Sequence, residues 1–428
     1  MSSVRTEGMN ERAAKPEKGR TGTRRPRPAQ LGDIRQQNYS TIMRELMHAG
    51  PLARTDLATA IGMSTGAVTK LTAALARAGL LTRAPEAGPT GVGRPKVPVD
   101  IDESTYGVIG VHFGLHRTIT CLINLKGRLV DEVHEPHGTT GFEPVVRGAA
   151  AAVERMAAAH RVGILGVGAS TGGWVDSASG QVEHQPVLGW RDVPLAQELR
   201  GMLGLPVVID SHVRALALAE HWFGAAMGVD NLIHLFVGNV VGAGFIFNGR
   251  PYPGARAVAG GLDHLPVAGA SGEQCDCGSR SCFKMVAGDL EVARRAREAG
   301  LIADDGEIYD VLTLAAGGNG AAQALLRERA ELVGRATATL IELLDPELVI
   351  VGGGVSAPAD HVAAVRETAR AKLDADRFRD AGSLIQASAF GPHAVGIAAG
   401  AVLLDAVYRS PEVFVPALAG HEAARAIG

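Results

Sequence analysis

The sequence predicts an α/β protein whose N-terminal part is a winged helix-turn-helix and whose larger part holds a structural metal site. Three observations predict it. Residues 51–81 have the pattern of two short helices joined by a turn. From about residue 106, strand and helix signals alternate, which is typical of α/β domains. One histidine and three cysteines fall within residues 264–282 at spacings suited to a tetrahedral metal ion.

The helix-turn-helix pattern is defined by its turn and its cap. The first predicted helix runs over about residues 55–61, and Gly62 ends it. Ser64 can cap a second helix that runs to about Ala78, because its hydroxyl can accept a hydrogen bond from a free backbone N–H of the first turn. An ordinary helical hairpin would show the same pattern, so the interpretation also depends on what surrounds it.

The second predicted helix has a small, polar outer face. Short side chains allow close approach to a major groove, where hydroxyl and ammonium groups reach base edges or phosphates. The residues expected to contact DNA in the groove are Ser64, Thr65, Gly66, Thr69 and Lys70.

A turn-rich run after this helix has the composition of a wing. Its glycines and prolines allow a hairpin or a loose loop. Arg94 and Lys96 within it, together with Arg54 at the start of the first helix, are expected at the DNA backbone or in the minor groove.

The charge is unevenly distributed along the chain. The 428 residues have a formal net charge of −3, yet residues 1–98 contain 16 Lys/Arg against 7 Asp/Glu. A basic front on an acidic body fits a nucleic-acid-binding head, since phosphate neutralisation supplies most non-specific affinity. Residues 1–30 have almost no large apolar side chains and are expected to be a disordered basic arm. The arm either follows DNA phosphates or is a solvated tail without a role.

The sequence has no signal-peptide core and no run of about 18 uninterrupted apolar residues, so we expect a cytoplasmic protein without a membrane segment.

The cysteine pattern of this expected cytoplasmic protein predicts zinc. In that reducing compartment a metal is favoured over a disulfide framework. His264, Cys275, Cys277 and Cys282 complete a tetrahedral set for a structural Zn²⁺. Cys121, alone in an apolar run, is expected to be a core residue.

The rest of the chain contains an α/β pattern and a glycine-rich segment. Strand signals at 107–114, 118–124 and 128–134 predict a meander, and a helical signal at 142–160 leads to a further strand. Residues 238–244 are rich in glycine. They could cradle a phosphate, although glycine-rich turns are common in sheets.

Several separated motifs, in the same order, resemble the ROK family, named for repressors, open reading frames and sugar kinases. They are Gly93-Arg94-Pro95, Leu188-Gly189-Trp190, Asn248-Gly249-Arg250, the His264 and three-cysteine pattern, and Leu344-Asp345-Pro346 followed by the glycines 352–354. The resemblance covers about residues 31–403. It implies a winged helix-turn-helix followed by a two-lobed actin-like ATPase (sugar-kinase-like) domain with a structural zinc site, assembled as a homodimer or homotetramer.

This organisation divides the chain into four parts. They are a disordered basic arm (1–30), a winged helix-turn-helix DNA-binding domain (31–98), a two-lobed sugar-kinase-like domain containing the zinc loop 264–282 (99–408), and a C-terminal tail without an assigned role (409–428).

Departures from the family's kinases bear on activity. His112-Phe113-Gly114 stands where kinases have an Asp-x-Gly phosphate loop, and Ser211-His212 aligns with the family's Asn-Asp pair, whose carboxylate is the base on the sugar hydroxyl. No catalytic aspartate remains at that position, so we expect no enzyme activity. His212 could accept a proton, and a bifunctional sugar kinase that also binds DNA is the alternative.

The sugar-binding positions are altered as well. Gly261 and Lys284 stand where the family has glutamates. Such a cleft could bind a phosphorylated or acidic sugar, with Lys284, His212 and Arg214 countering its charge, or it could have lost ligand binding. The expected ligand-binding residues are His212, Arg214, His264 and Lys284.

The predicted function is a sequence-specific transcriptional regulator, a repressor of carbohydrate or secondary metabolism genes, on an inverted-repeat operator in double-stranded DNA. Its kinase-like domain would mediate oligomerisation and sense a sugar or sugar phosphate without phosphorylating it. A scaffold with a vestigial DNA reader is a third possibility, which the basic front argues against.

Overall fold

The computed structural model describes residues 31–85, 97–356, 358–374, 377–378 and 383–418. It confirms the predicted fold class. A winged helix-turn-helix precedes two α/β lobes, each built on a five-stranded sheet.

The N-terminal unit, which we call the reader, is a three-helix domain with a small sheet. Its elements are α1 (Leu31–Ala49), β1 (Leu52–Ala53), α2 (Arg54–Ala60), α3 (Thr65–Arg77), β2 (Leu81–Arg83) and β3 (Pro98–Ile101). The strands pair antiparallel in the order β1-β3-β2, so the stem of the wing is a hairpin. Gly62 has a φ of +68°, which a glycine adopts without the steric cost of a Cβ. The predicted wing cations Arg94 and Lys96 lie outside the described residues.

The first lobe follows the reader directly. Its elements are β4 (Tyr106–Phe113), β5 (Arg117–Asn124), β6 (Leu129–Pro136), α4 (Phe142–Ala159), β7 (Gly163–Thr171), β8 (Trp174–Asp176), β9 (Gln181–Gln185), β10 (Trp190–Val193), α5 (Leu195–Leu203), β11 (Val207–Ser211) and α6 (His212–Phe223). The main sheet has the order β11-β7-β4-β5-β6, in which the predicted meander β4-β5-β6 is antiparallel and β7 and β11 are parallel to β4.

The second lobe repeats this topology. Its elements are β12 (Leu232–Val237), β13 (Val241–Phe247), β14 (Arg250–Pro251), α7 (Phe283–Ala287), α8 (Asp289–Glu298), α9 (Ile308–Ala316), α10 (Gly320–Leu344), β15 (Leu348–Gly352), α11 (Ala359–Lys372) and β16 (Ile385–Ala387). After them, α12 (Ala394–Arg409) returns to the first sheet and α13 (Pro411–Phe414) packs on α12 and α1. The order β14-β13-β12-β15-β16 again joins an antiparallel meander to two parallel strands. The two lobes are therefore duplicates in topology.

Helices α6 and α12 lie between the two sheets and share one apolar core with both. α12 packs on β4 and β7 of the first lobe, whereas α6 packs on α12 and on β12 and β13 of the second. The approach to the first sheet is close. A Cβ at Gly110 would lie 2.5 Å from the carbonyl oxygen of Gly396 on α12, so only glycine fits there.

Helix α1 joins the reader to this core. Tyr39, Ile42, Met43 and Leu46 of α1 are at most 1% exposed and belong to the same apolar cluster as α6 and α12. Tyr408 of α12 donates its hydroxyl hydrogen to the Met47 sulfur at 3.7 Å. The reader is thus packed on the body and is not connected to it by a linker alone.

Part of the predicted C-terminal tail belongs to the core. α13 and the turn at Pro416–Leu418 pack against α1, α3 and α12, and Val415 and Leu418 are buried in the shared cluster. The sequence signal was weak because the packed segment is short. Residues 419–428 lie outside the described residues.

One described helical segment, Gly391–Arg409, is long and apolar enough to cross a membrane, but 61% of its apolar 18-residue stretch is buried inside the protein. Its apolarity is accounted for by its position between the two sheets.

Truncating an α1 side chain in the shared core should destabilise the protein. Ile42 is fully buried, and Ile34 on the same helix is 47% exposed. We expect Ile42→Ala to lower the free energy of unfolding by about 2–5 kcal/mol, because it removes buried methyl groups and leaves a cavity. Urea titration followed by circular dichroism measures this, with Ile34→Ala as the matched control. An equal decrease in the free energy of unfolding in both variants would contradict the packed position of α1.

Candidate functional site

The outer face of α3 is exposed and small. Ser64 caps the helix, its Oγ accepting a hydrogen bond from the Ala67 backbone N–H at 3.2 Å, and the helix begins at Thr65. Ser64, Thr65, Gly66, Thr69 and Lys70 are all exposed. Thr69 donates its hydroxyl hydrogen to the Thr65 carbonyl at 2.7 Å, which leaves the hydroxyl oxygen facing out as an acceptor. The five residues predicted for the groove therefore share one accessible surface.

A buried threonine links α2 and α3 by a hydrogen bond. Thr72 is fully buried, donates to the Val68 carbonyl at 2.8 Å and accepts from Arg54 Nε at 3.1 Å. Arg54, which we expected at the DNA backbone, is half-buried and ties the start of α2 to α3. Its Nε is committed to this contact within the protein.

The loop between β14 and α7 brings one imidazole and three thiols together. The ligand atoms of His264, Cys275, Cys277 and Cys282 all lie within 4.8 Å of one another. Backbone hydrogen bonds close the loop. The Val267 N–H donates to the Ser281 carbonyl at 2.9 Å, and the Gly278 N–H donates to the Cys275 carbonyl at 2.7 Å.

The distances within this cluster match a tetrahedral metal site. Nδ1 of His264 lies 3.4 Å from the Cys275 sulfur and 3.7 Å from the Cys282 sulfur. Zinc bonds of about 2.3 Å to sulfur and about 2.0 Å to nitrogen at tetrahedral angles place nitrogen and sulfur about 3.5 Å apart. All four positions are supplied by the protein, so the arrangement can hold a metal ion as a brace and offers no open position for catalysis.

Three buried histidines lie where the two lobes meet, in a region that we call the cleft. His112 is the penultimate residue of β4, His212 begins α6 directly after β11, and His234 lies in β12. The rings of His112 and His212 are 6.2 Å apart, and the His212 ring packs edge-on against Phe236 at 5.1 Å. Nδ1 of His112 lies 3.0 Å from the Ser170 hydroxyl. The carboxyl ends of β4, β7 and β11 meet here, which is where open α/β sheets bind ligands.

Burial keeps these imidazoles neutral. Loss of hydration on burial lowers the pKa of His212 to about 4. It also lowers the pKa of His112 and of His234 to about 3, and the nearby His212 ring adds to both of these shifts. Among the described residues, the ring nitrogens of His212 and His234 and the hydroxyl of Ser211 are buried without a well-aligned hydrogen-bond partner, although the Thr171 backbone approaches the His212 ring and partly offsets its loss of hydration. Polar atoms buried without a partner are costly, so these groups retain unused hydrogen-bonding capacity.

The other predicted ligand-binding residues do not gather around His212. Arg214 is 2% exposed and uses its guanidinium within the protein, donating to Asp210 Oδ1 at 2.6 Å and to the carbonyls of Ala257 and Val175. Lys284 lies on α7 next to the cysteine cluster, where its ammonium is 3.8 Å from Asp276. Arg214 is therefore buried and held by Asp210 and two backbone carbonyls.

Sequence reasoning missed a buried ion pair under the glycine-rich segments. Arg329 of α10 and Asp289 of α8 pair directly and are 1% and 8% exposed. Arg329 also donates to the Ala287 carbonyl at 2.8 Å, and the Asp289 N–H donates to the Gly238 carbonyl at 2.9 Å. The pair holds the segment after β12 in place. Forty residues separate the partners, and no local pattern signals such a contact.

A winged helix-turn-helix packed on a duplicated, two-lobed α/β body with a Cys₃His loop defines a class of protein that joins a DNA-binding domain to a sugar-kinase-like fold. The chain belongs to the ROK family, whose model matches residues 108–404. This confirms the resemblance inferred from the sequence motifs.

Three known proteins illustrate the match. The transcriptional regulator Rv0485 of Mycobacterium tuberculosis is 31% identical over 389 residues, 87% of this chain and 86% of the relative. The glucokinase of Halalkalibacterium halodurans is 29% identical over 268 residues, 59% of this chain and 81% of the enzyme. The crystal structure of a ROK family transcriptional regulator, a homologue of the Escherichia coli MLC protein, superposes with a TM-score of 0.75 at 23% identity, covering 90% of this chain and 99% of that one.

The three buried histidines predict a defined pH dependence of stability. An unfolded imidazole has a pKa near 6.5, so between pH 6.5 and about 4 the unfolded chain binds protons that the folded cleft does not, and stability falls as the pH falls. His212→Gln should reduce the slope of unfolding free energy against pH by about 1.4 kcal/mol per pH unit in that range. Urea titrations at several pH values test this, with the exposed His116→Gln as control. An unchanged slope in His212→Gln would contradict a neutral, buried His212.

Proposed function

We propose that this protein is a sequence-specific, DNA-binding transcriptional regulator of the ROK family, and that it acts in the cytoplasm as a repressor. The exposed face of α3 carries this proposal, because five short or cationic residues are presented together by a capped, well-packed helix. The relation to Rv0485 over most of both chains supports it. The charge division, basic in front and acidic behind, supports it independently.

α3 is proposed to enter the major groove. Ser64, Thr65, Gly66, Thr69 and Lys70 would contact base edges and phosphates, and Arg94 and Lys96 of the wing would lie at the backbone or minor groove. Arg54 would contribute through its remaining guanidinium N–H groups. Two readers of a dimer or tetramer would bind two half-sites of an inverted repeat.

The cleft is proposed to bind an uncharged or anionic sugar as effector. His212 and Ser211 offer buried hydrogen-bonding groups without partners, and the relation to a glucokinase supports a sugar as the ligand class. Phosphate transfer is not expected, because the position of the family's catalytic carboxylate is an imidazole. A kinase that also binds DNA is the competing function. ATP-dependent phosphorylation of a hexose or amino sugar, lost in His212→Ala, would establish it.

The cysteine cluster is proposed to hold Zn²⁺. Three thiolates and one imidazole are donors that zinc prefers, and with them the ion would brace a loop whose own apolar contacts are few. His264, to which we also assigned ligand contact, would then affect the effector site only by fixing the loop that precedes α7.

The central experiment is selection of DNA by the purified full-length protein. Fragmented genomic DNA is retained at physiological salt, sequenced, and tested for release by sugars and sugar phosphates. We expect a few fragments with inverted repeats, and release by one class of sugar. Retention without sequence preference would overturn the proposal.

Lys70 should contribute one phosphate contact. Lys70→Ala is expected to weaken binding to a selected fragment and to reduce the slope of log affinity against log salt by about one. Fluorescence anisotropy at four salt concentrations measures both. Arg147→Ala, which removes an exposed cation from α4 in the first lobe, is the matched control and should leave the slope unchanged. Identical slopes for the two variants would remove Lys70 from the interface.

Zinc should be bound by the loop in a ratio of about one ion per chain. Cys277 is exposed, so Cys277→Ser changes a ligand without disturbing the core, and we expect it to lose most of the metal. Native mass spectrometry gives the ratio, and hydrogen exchange over residues 264–285 should accelerate in the variant. Cys121→Ser, which alters a buried cysteine in β5, is the control and should retain the ion.

A further inference from the structure

We propose that a cavity at the joint between the reader and the body is a binding site for a neutral, largely apolar small molecule. The cavity has a volume of about 520 Å³. It is bounded by the end of α1, the turn between β5 and β6, the end of α6 and the start of α12. It is separate from the cleft that carries the buried histidines.

The cavity is a partly open depression of the size of a ligand site. Small-molecule sites measure about 300–1,000 Å³. Seven of the eleven lining residues are apolar: Leu46, Met47, Leu129, Phe223, Met227, Phe390 and Ile397. Two methionines and two phenylalanines give a deformable wall that suits flat aromatic or branched ligands.

The charges at the rim favour a neutral ligand. Lys126 Nζ lies 2.6 Å from Asp100 Oδ2 and 3.4 Å from Glu103 Oε1, and Arg128 Nε lies 3.6 Å from Glu103 Oε2. Lys126, whose side chain is 17% exposed, is therefore already paired with carboxylates, whereas Arg128 is 72% exposed and its Nε lies beyond hydrogen-bond distance of Glu103. An anionic ligand would have to compete with Asp100 and Glu103 for Lys126.

The position of the cavity couples it to the reader. Leu46, Met47 and Gly50 of its wall lie directly before β1 and α2, and Met47 also contacts Tyr408 of α12. A ligand that contacts α1 and the body at once would stabilise one orientation of the reader. Thermodynamic linkage makes such an effect reciprocal. If the ligand changes the protein's affinity for DNA by a given factor, DNA changes the protein's affinity for the ligand by the same factor.

Two fluorescent probes test the chemical class. N-phenyl-1-naphthylamine is neutral, and 8-anilino-1-naphthalenesulfonate is the same molecule with a sulfonate. We expect saturable binding of about one neutral probe per chain, at least tenfold tighter than the anionic probe. Tighter binding of the anion, or no saturation with the neutral probe, would overturn the proposal.

Matched variants locate the probe. Met227 lines the cavity and is 47% exposed, and Met202 on α5 is 38% exposed elsewhere on the first lobe. Met227→Trp should fill the mouth and weaken binding of the neutral probe at least tenfold, whereas Met202→Trp should not change it. Because both positions are exposed, both variants should fold, and thermal melting verifies this. Equal affinities in the two variants would place the probe elsewhere.

Hydrogen exchange tests the coupling without any DNA. On saturation with the neutral probe, the amides of residues 46–61 should become more protected, because the ligand fixes the end of α1 against the body. Protection confined to the body would overturn the coupling to the reader. Failure to select DNA would leave this result unaffected, so the two proposals fail separately.

Discussion

Burial of apolar surface along α12 holds the three parts of this protein together. One face of α12 covers the first sheet, another contacts α6 and through it the second sheet, and its end meets α1 of the reader. Trp222 of α6 and Tyr408 of α12 meet edge-on at 5.0 Å in the centre of this contact. Burying aromatic and aliphatic side chains is the dominant favourable term in folding, so the relative positions of reader and lobes follow from this one cluster.

The shared core has a consequence for regulation. A reader joined by a flexible linker would keep no fixed orientation relative to the body, because such a linker restricts only the distance between the two parts. A reader packed through α1 shares side-chain contacts with α12 and α6, and α6 begins at His212 in the cleft. Both the cleft and the joint cavity therefore border α6, which shares this core with α1.

The cleft shows what burial does to an imidazole. A carboxylate between two lobes requires water, a metal ion or a cation nearby. The imidazoles of His112, His212 and His234 instead lose their charge on burial, and the His212 ring packs against both His112 and Phe236. The result is a set of neutral imidazoles where the two lobes meet, whose ring nitrogens can donate and accept hydrogen bonds.

The sequence by itself determined the local elements and the metal-binding set. Helical periodicity, Gly62 and the Ser64 cap define the helix-turn-helix, and the spacing of Cys275, Cys277 and Cys282 brings three ligands together, because these features depend on neighbouring residues. The tertiary structure alone decided which distant groups meet. It committed Arg214 to Asp210 and backbone carbonyls, paired Arg329 with Asp289, and buried Val415 and Leu418 of the expected tail. Each of these results depends on contacts between segments far apart in sequence, for which periodicity and spacing contain no signal.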